Sequence, residues 1–132
     1  IDGDEQGERI ARCLAQAAGL TAVEISTEDR AAYHAAASIA SNFLVALESV
    51  AERIGAAAGL PREALLPLAE ASLRNWGSLG AQEALTGPVA RGDEATVARQ
   101  RGAVAEAAPE LIDLFDSLCR ATRSLAAEGA SA

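Results

Sequence analysis

The sequence contains no lysine and no methionine, and each absence has a consequence. All 11 basic residues are arginines, so no side chain can form a Schiff base with a carbonyl substrate or act as a lysine proton donor. The chain begins at Ile1 instead of a methionine, so we expect it to be part of a longer protein. The function of that parent protein is then not expected to be fully present in these 132 residues.

The chain is also short of histidine, cysteine and positive charge. Its net charge is −8 without a basic stripe, which makes nucleic acid and anionic membrane surfaces poor partners. His34 is the only histidine, so a multi-histidine metal site is excluded and no metal is expected. Cys13 and Cys119 lie in predicted helices without CxxC spacing, which favours buried reduced thiols over a disulfide or a zinc site.

No long hydrophobic run and no targeting signal is visible. No run of 18 or more apolar residues lacks charge, so no transmembrane segment is predicted. A signal peptide is not recognisable either, and the cytoplasm is the default location.

Alanine dominates what is present. There are 33 alanines but only four aromatic residues, and alanine is the strongest helix former. With few consecutive β-branched residues, this composition predicts one mainly all-α domain, a helical bundle held by Leu and Ala contacts. Phe43, Trp76 and Phe115 are the predicted large core anchors.

One stretch organises the fold. Residues 28–58 contain no proline, and no glycine before Gly55, and Gly59 followed by Pro61 signals a helix stop. Unbroken, this helix measures roughly 45 Å at about 1.5 Å per residue, so we expect it to be the spine of the bundle. The side chains that recur at helical spacing and predict its buried stripe are Ala36, Ile39, Ala40, Phe43, Leu47, Val50, Ala51 and Ile54.

Shorter elements flank the spine. The predicted helices are Asp4–Ala18, a segment from Pro61 to the glycines at 77–80, a turn or two at Ala81–Leu85, Glu94–Ala107 with Asp93 as N-cap, and a last helix from Pro109 to about Ala127. The predicted buried stripe of the helix after Pro61 is Leu65, Leu68, Ala69, Leu73 and Trp76. Thr21–Ser26 alternates like a strand, and its backbone needs a partner. That partner is Ile1 and its neighbours, another subunit, or a sheet outside this chain, which we favour.

A polar row on the spine is the first candidate site. His34, Ser38 and Asn42 follow at i, i+4 and i+8, so they share one side of the helix. A histidine can transfer a proton near neutral pH, and an asparagine can hold a carbonyl or hydroxyl group in register. The alternative is an ordinary solvated helix face.

The second candidate is the loop Thr86–Asp93. Gly87 and Gly92 permit tight turns, and Arg91 could grip a carboxylate or phosphate with two hydrogen bonds. The alternative is a structural turn in which Arg91 is only a solvated charge. No phosphate-binding glycine motif, nucleophile elbow or metalloprotease motif is present, so the chain alone does not look like a complete enzyme.

Two motifs carry a family resemblance. The segments Asp29–Ala37 and Ala40–Asn42 resemble the start of the C-terminal helical domain in a family of bacterial Rossmann-type proteins. That family is catalogued with a domain of unknown function and is related to the deazaflavin-dependent NADP oxidoreductases. Ala84–Asp93, with Thr96 and Val97 beyond it, is similar to its second hallmark, and residues 1–26 resemble the last strand–helix–strand of its nucleotide-binding domain.

The resemblance implies an architecture shared with 6-phosphogluconate dehydrogenase, ketopantoate reductase and pyrroline-5-carboxylate reductase. Residues 1–26 would be the remnant of a nucleotide-binding domain, and residues 27–132 a helical substrate-binding and dimerisation domain. The intact protein would use NADP or NAD as a homodimer acting on a small-molecule substrate. Because the phosphate-binding glycine loop is not in this chain, neither cofactor is expected to bind tightly to it.

The same resemblance assigns roles to residues. His34 would be the acid/base, Asn42 would orient the substrate and Ser38 would be a substrate-binding residue, while Thr86–Asp93 would border the cleft. Thr86, Gly87 and Arg91 would be the loop's substrate-binding residues, with Arg91 neutralising an anionic end. Several relatives use a lysine as proton donor, and this chain has none, so His34 is the comparable candidate.

Two functions of different class therefore stand after sequence analysis. The first is a C-terminal helical domain of an NAD(P)-dependent oxidoreductase, supplying the substrate side of the cleft and the dimer interface. The alternative is a non-catalytic helical dimerisation or protein-interaction module.

Overall fold

In the computed structural model, which describes residues 4–129, every regular element within that range is helical. The elements are α1 (Glu5–Ala17), α2 (Arg30–Ser38), a π-helical segment (Ile39–Phe43), α3 (Leu44–Ala57), α4 (Arg62–Leu79), α5 (Ala81–Ala84), α6 (Glu94–Ala107), a 3-10 turn (Pro109–Leu111) and α7 (Ile112–Gly129). The predicted mainly all-α fold is confirmed. No helix of the described residues is long and apolar enough to span a membrane.

The chain divides into two compact units, Ile1–Val45 and Ala46–Ala132. The first unit holds α1, α2 and the π-helical segment, and the second holds α4 to α7 with most of α3. Each unit is described by itself below.

In the first unit, local signals set the limits of α1. Asp4 is its N-cap and accepts a hydrogen bond of 2.8 Å from the backbone N–H of Gly7. Gly19 follows the helix with a φ of 70°, a conformation that ends helices and that glycine adopts without steric cost. Helix α1 therefore begins and ends within one residue of its predicted limits.

The predicted strand at Thr21–Ser26 is wrong, because these residues have no regular secondary structure. A strand is stable only where a neighbouring backbone satisfies its polar groups, and within residues 4–129 no strand is available for it to pair with. The proposed pairing with Ile1 lies outside the described residues. An ion pair between Arg12 and Glu24 joins this segment to α1.

The predicted long helix is present as three consecutive helical segments from Arg30 to Ala57. Gly59, with a φ of 75°, follows its end, and the N–H of Leu60 bonds back to the carbonyl of Gly55 at 2.9 Å. This is the closure that a helix stop of the Schellman type provides. The interruption in the middle, the π-helical segment, was not predicted.

Part of the predicted buried stripe of this helix is exposed. Ile39 and Phe43 are 62% and 58% exposed, so Phe43 is not a core anchor within the described chain. Leu47, Val50 and Ile54, farther along, are half-buried. Periodicity identifies an apolar face, but it cannot say whether the surface that covers this face belongs to the same chain.

The second unit has a small core centred on α6 and α7. Val97, Val104, Ala108 and Cys119 are its buried apolar residues, and Ala108 is fully buried. Ion pairs join Arg101 to Asp116 and Glu94 to Arg123. The start of α6 thus lies beside the later part of α7, so the two helices run antiparallel. Asp93 is the N-cap of α6, as predicted.

Several predicted core positions of this unit are exposed instead. Trp76 is 57% exposed and Leu68 is 66% exposed, so the predicted anchoring role of Trp76 is wrong for this chain. Phe115 is half-buried. Of the two cysteines, Cys119 is buried and free as predicted, whereas Cys13 in the first unit is free but exposed.

Glycine 102 offers a test of the α6 helix. A Cβ built on Gly102 meets nothing within 4 Å, and the residue lies inside α6. We expect Gly102→Ala to raise the free energy of unfolding by about 0.5–1 kcal/mol, because glycine costs roughly that much in a helix interior. Gly80→Ala is the matched contrast and should destabilise, since Gly80 has a φ of 82°. The midpoints of thermal unfolding of both variants measure these effects. A midpoint below that of the wild type for Gly102→Ala would show that the space around Gly102 does not accept an alanine side chain.

Candidate functional site

The predicted polar row spans two kinds of helix. His34 lies in α2, Ser38 is the last residue of α2, and Asn42 lies in the π-helical segment. The side chains of His34 and Asn42 are exposed and that of Ser38 is half-buried. Tyr33 lies beside the row, with its ring centroid 5.3 Å from that of His34 and the two planes tilted by 56°.

The π-helical segment affects the alignment of the row. In an α-helix, residues four apart overshoot one turn of about 3.6 residues, so an i, i+4, i+8 row drifts around the axis. A π turn closes i→i+5 hydrogen bonds and holds more residues per turn, which counteracts the drift between Ser38 and Asn42. The segment thus keeps Asn42 on the side of His34. π segments are rare and occur frequently at functional sites.

The polar atoms of the row are available to a ligand. Within residues 4–129, the side chains of His34, Ser38 and Asn42 form no hydrogen bond to another protein group. The neighbouring Ser41 differs, because its hydroxyl donates to the carbonyl of Ala37 at 2.6 Å. The row therefore offers an imidazole, a hydroxyl and a carboxamide with unused hydrogen-bonding capacity.

Three backbone donors of the predicted loop, Thr86–Asp93, are engaged internally. The N–H groups of Arg91, Gly92 and Asp93 bond to the carbonyls of Gly87, Val89 and Pro88 at 3.2, 3.2 and 2.9 Å. Both glycines have positive φ values, 99° at Gly87 and 70° at Gly92, which explains their use in this turn. These three amides are not free to form an anion-binding nest.

With these three amides engaged, the side chain of Arg91 is the positively charged group with which this loop can bind an anion. Arg91 and Thr86 are both exposed, and Arg91 forms no ion pair with the described residues. A free guanidinium group can grip a carboxylate with two parallel hydrogen bonds. The row and the loop belong to different units, so the two groups of candidate residues are described separately.

Asp93 connects the loop to α6 through its side chain. The Thr96 hydroxyl and then the Thr96 backbone N–H, which donates to Oδ1 at 3.0 Å, hold the pKa of Asp93 below its ordinary value. Arg99 supports this arrangement by donating to Oγ1 of Thr96 at 2.7 Å. The carboxylate is thus stabilised in its charged form at the N-terminus of a helix.

The lowered pKa of Asp93 gives a pH-dependent prediction. A depressed folded-state pKa contributes stability above the unfolded-state value of about 3.9, and this contribution is lost as the pH falls through the folded-state pKa. Asp93→Ala should therefore lower the urea midpoint at pH 7, and the difference from the wild type should shrink towards pH 2. Asp93→Asn is the control, because asparagine also caps helices but does not titrate in this range. If the urea midpoints of the wild type and Asp93→Ala differ by the same amount at both pH values, the charge of Asp93 does not contribute to stability.

Two features of the candidate residues were not predicted. The π-helical segment has no sequence signal here, since Ile39–Phe43 contains neither proline nor glycine. Tyr33 and His34 are consecutive residues, but consecutive side chains point in different directions around a helix, so the contact between their rings was not predicted. No three His, Cys, Asp or Glu side chains in residues 4–129 are placed to hold a metal ion.

Comparison with known proteins identifies a family and no individual relative. No curated protein matches the chain, and no solved structure matches it. A family model does match, over residues 1–122, and its description is "Domain of unknown function (DUF2520)". Because this match covers most of the chain, the protein belongs to the DUF2520 family.

Proposed function

We propose that the chain is the C-terminal helical domain of an NAD(P)-dependent oxidoreductase, where it supplies the substrate side of the active-site cleft. The observation that carries this proposal is the row of His34, Ser38 and Asn42. Its polar atoms are exposed or half-buried and have no protein partner among the described residues. The π-helical segment that holds Asn42 supports the same assignment, because such segments frequently mark functional sites.

The proposed reaction reduces a small carbonyl or imine compound. The hydride that the substrate carbon accepts would come from a nicotinamide cofactor held by the nucleotide-binding domain of the intact protein. His34 donates the proton that the substrate oxygen or nitrogen then needs, and it recovers that proton from solvent. No lysine is present to do this, so the imidazole is the chain's natural proton donor.

The remaining residues position the substrate. Asn42 can hold the reacting carbonyl by its carboxamide N–H, and Ser38 can add a hydroxyl on the same side of the helix. In the second unit, taken by itself, the exposed Arg91 offers a guanidinium group that can bind a carboxylate of a substrate, and Thr86 and Gly87 belong to the same loop. Each of these groups acts only in binding and orientation.

We also propose that the domain forms a homodimer. Large apolar side chains of its helices are open to solvent, among them Ile39, Phe43, Leu68 and Trp76 at 57–66% exposure. Exposed apolar surface of this kind commonly marks an interaction site. A second copy of the chain, or the nucleotide-binding domain of the same protein, would cover it.

The same exposed side chains favour the second candidate function. On α4 alone, Leu66, Leu73, Trp76 and Leu79 are 47–57% exposed. A non-catalytic interaction module would use these faces to dimerise or to hold a partner protein. Only a measurement of hydride transfer separates the two functions, because both predict association.

The test is cofactor oxidation by the intact protein. Purified full-length protein is mixed with NADPH or NADH and a panel of small aldehydes, ketones and cyclic imines, and absorbance at the nicotinamide band is followed. Light scattering across a concentration series gives the assembly state. Turnover of any panel member by a dimer is the expected result. A dimer that binds neither cofactor would overturn the oxidoreductase proposal and leave the interaction module.

A further inference from the structure

The cleft between α6 and α7, in the second unit, has no role in the proposed hydride transfer. It has a volume of about 320 Å³ and contains none of the residues of the polar row or of the Thr86–Asp93 loop. Three arginines, Arg101, Arg120 and Arg123, line it together with the carboxylates of Glu94 and Asp116. From this lining we propose that the cleft is a binding site for a small monocarboxylate with a short apolar tail.

The charges of the cleft leave one cation unmatched. Arg123 contacts both carboxylate oxygens of Glu94 at 2.8 and 3.0 Å. Arg101 likewise contacts both oxygens of Asp116 at 2.9 and 3.0 Å, and this contact lowers the pKa of Asp116, which keeps it ionised. Two of the three arginines are thus each matched by one carboxylate.

Arg120 is the cation without a carboxylate paired to it. Its guanidinium group donates to the hydroxyl of Ser117 at 2.8 Å and forms no close ion pair with a carboxylate among residues 4–129, although its charge contributes to the lowered pKa of Asp116. A guanidinium group has five N–H donors in a planar fork, so most of those of Arg120 are unused. The fork matches the geometry of a carboxylate, and the single excess charge matches one negative charge.

The inner wall of the cleft is apolar, and it determines what the uncharged part of the ligand must be. Val97 and the thiol-bearing Cys119 are both only 6% exposed, and Ala98 lies beside them. These groups offer van der Waals contact to a short alkyl chain but no strong hydrogen bond. The volume lies at the lower end of the range of about 300–1,000 Å³ for small-molecule sites, so the ligand must be small.

The carboxylates of the cleft exclude more highly charged ligands. A phosphate dianion placed at Arg120 would lie close to Glu94 and Asp116, and like charges in a confined site repel. A neutral amide of the same shape would leave the positive charge of Arg120 uncompensated. The cleft therefore selects a monoanion over both.

Because Cys119 lines the cleft, the rate at which its thiol is labelled reports whether a ligand is bound there. The full chain carrying Cys13→Ser retains Cys119 as its only thiol, because Cys13 is the other cysteine and is exposed. Labelling of Cys119 by N-ethylmaleimide, which is uncharged, is followed by mass spectrometry with added butyrate, butyramide or inorganic phosphate. We expect millimolar butyrate to slow labelling about tenfold, and butyramide and phosphate to have little effect.

Two arginine variants decide whether the protection depends on Arg120. Arg120→Gln should abolish protection by butyrate, while Arg99→Gln, on α6 but outside the cleft lining, should retain it. Saturation-transfer NMR of butyrate on the same variants gives the comparison independently of thiol reactivity. Equal protection by butyramide, stronger protection by phosphate, or binding unchanged in Arg120→Gln would each overturn the proposal. None of these outcomes bears on hydride transfer, because the cleft shares no residue with the polar row.

Discussion

Replacing His34 by glutamine in the intact protein is expected to lower turnover of the active substrate by about 10²–10⁴-fold, the usual contribution of a general acid. The reason is the composition of the chain, which offers no lysine and no second histidine to replace the imidazole. Glutamine keeps a polar side chain of similar length but cannot donate a proton as an acid. The measurement is the initial rate of cofactor oxidation as a function of pH and substrate concentration.

The pH profile separates a chemical role of His34 from a structural one. If the imidazole donates the proton, the wild-type rate depends on pH, and His34→Gln lacks this dependence. Glu28→Gln is the control, since Glu28 is exposed and precedes α2 without belonging to the row. A His34→Gln variant with an unchanged rate and profile would remove His34 from the mechanism.

Asn42 should behave differently from His34 in the same assay. A residue that only orients the substrate raises KM or lowers kcat without altering the pH profile. Because Asn42 lies in the π-helical segment, its alignment with His34 depends on the backbone as well as on its own side chain. This distinction ties the proposed roles to the geometry of the helix.

Helix limits were predictable from the sequence because their signals are local. Asp4 and Asp93 cap α1 and α6, and Gly19, Gly59 and Gly80 follow helices with positive φ values. Each signal acts within one turn of chain, so it does not depend on what packs against the helix. The long helix from Arg30 to Ala57 could be predicted for the same reason.

Burial was predicted less well because it depends on partners. The stripes containing Phe43, Leu68 and Trp76 have helical periodicity, yet these side chains are about 57–66% exposed. Periodicity reports which face is apolar but not which surface covers that face. The strand predicted at Thr21–Ser26 failed similarly, since strand pairing is a non-local interaction.

The sequence predicted which candidate residues share a side of the helix, but not the backbone geometry and hydrogen bonds around them. The spacing of His34, Ser38 and Asn42 gave their common side, whereas the π turn beneath Asn42 has no local sequence signal. Loop glycines at 87 and 92 were identified as turn residues, but only the structure shows that three of the loop amides bond internally. The arginine-lined cleft joins residues from two helices, so no motif could reveal it.

The small core of the second unit leads to the prediction with the largest effect on stability. Val104 is 4% exposed and belongs to a core whose buried apolar members are few. Val104→Asp would place a carboxylate there without a partner, at a cost of several kcal/mol or a shift to the protonated form. Since whole domains are stable by only about 5–15 kcal/mol, we expect loss of helical circular dichroism at 25 °C.

Ala105→Asp is the matched control, because Ala105 is the next residue of α6 and is exposed. It adds the same charge at nearly the same distance from the helix terminus, so the effect on the helix dipole is almost equal in the two variants. Ala105→Asp loses more intrinsic helix propensity than Val104→Asp, so a larger effect at Val104 reflects its burial. Val104→Ala completes the series with an expected loss of about 1.5–3 kcal/mol from the deleted methyl groups and the cavity. If Val104→Asp and Ala105→Asp unfold at the same urea concentration, the α6 and α7 packing does not hold this unit together. A large difference between them would instead show that the few residues around Val104 carry its stability, with the exposed apolar faces of the other helices left for partners.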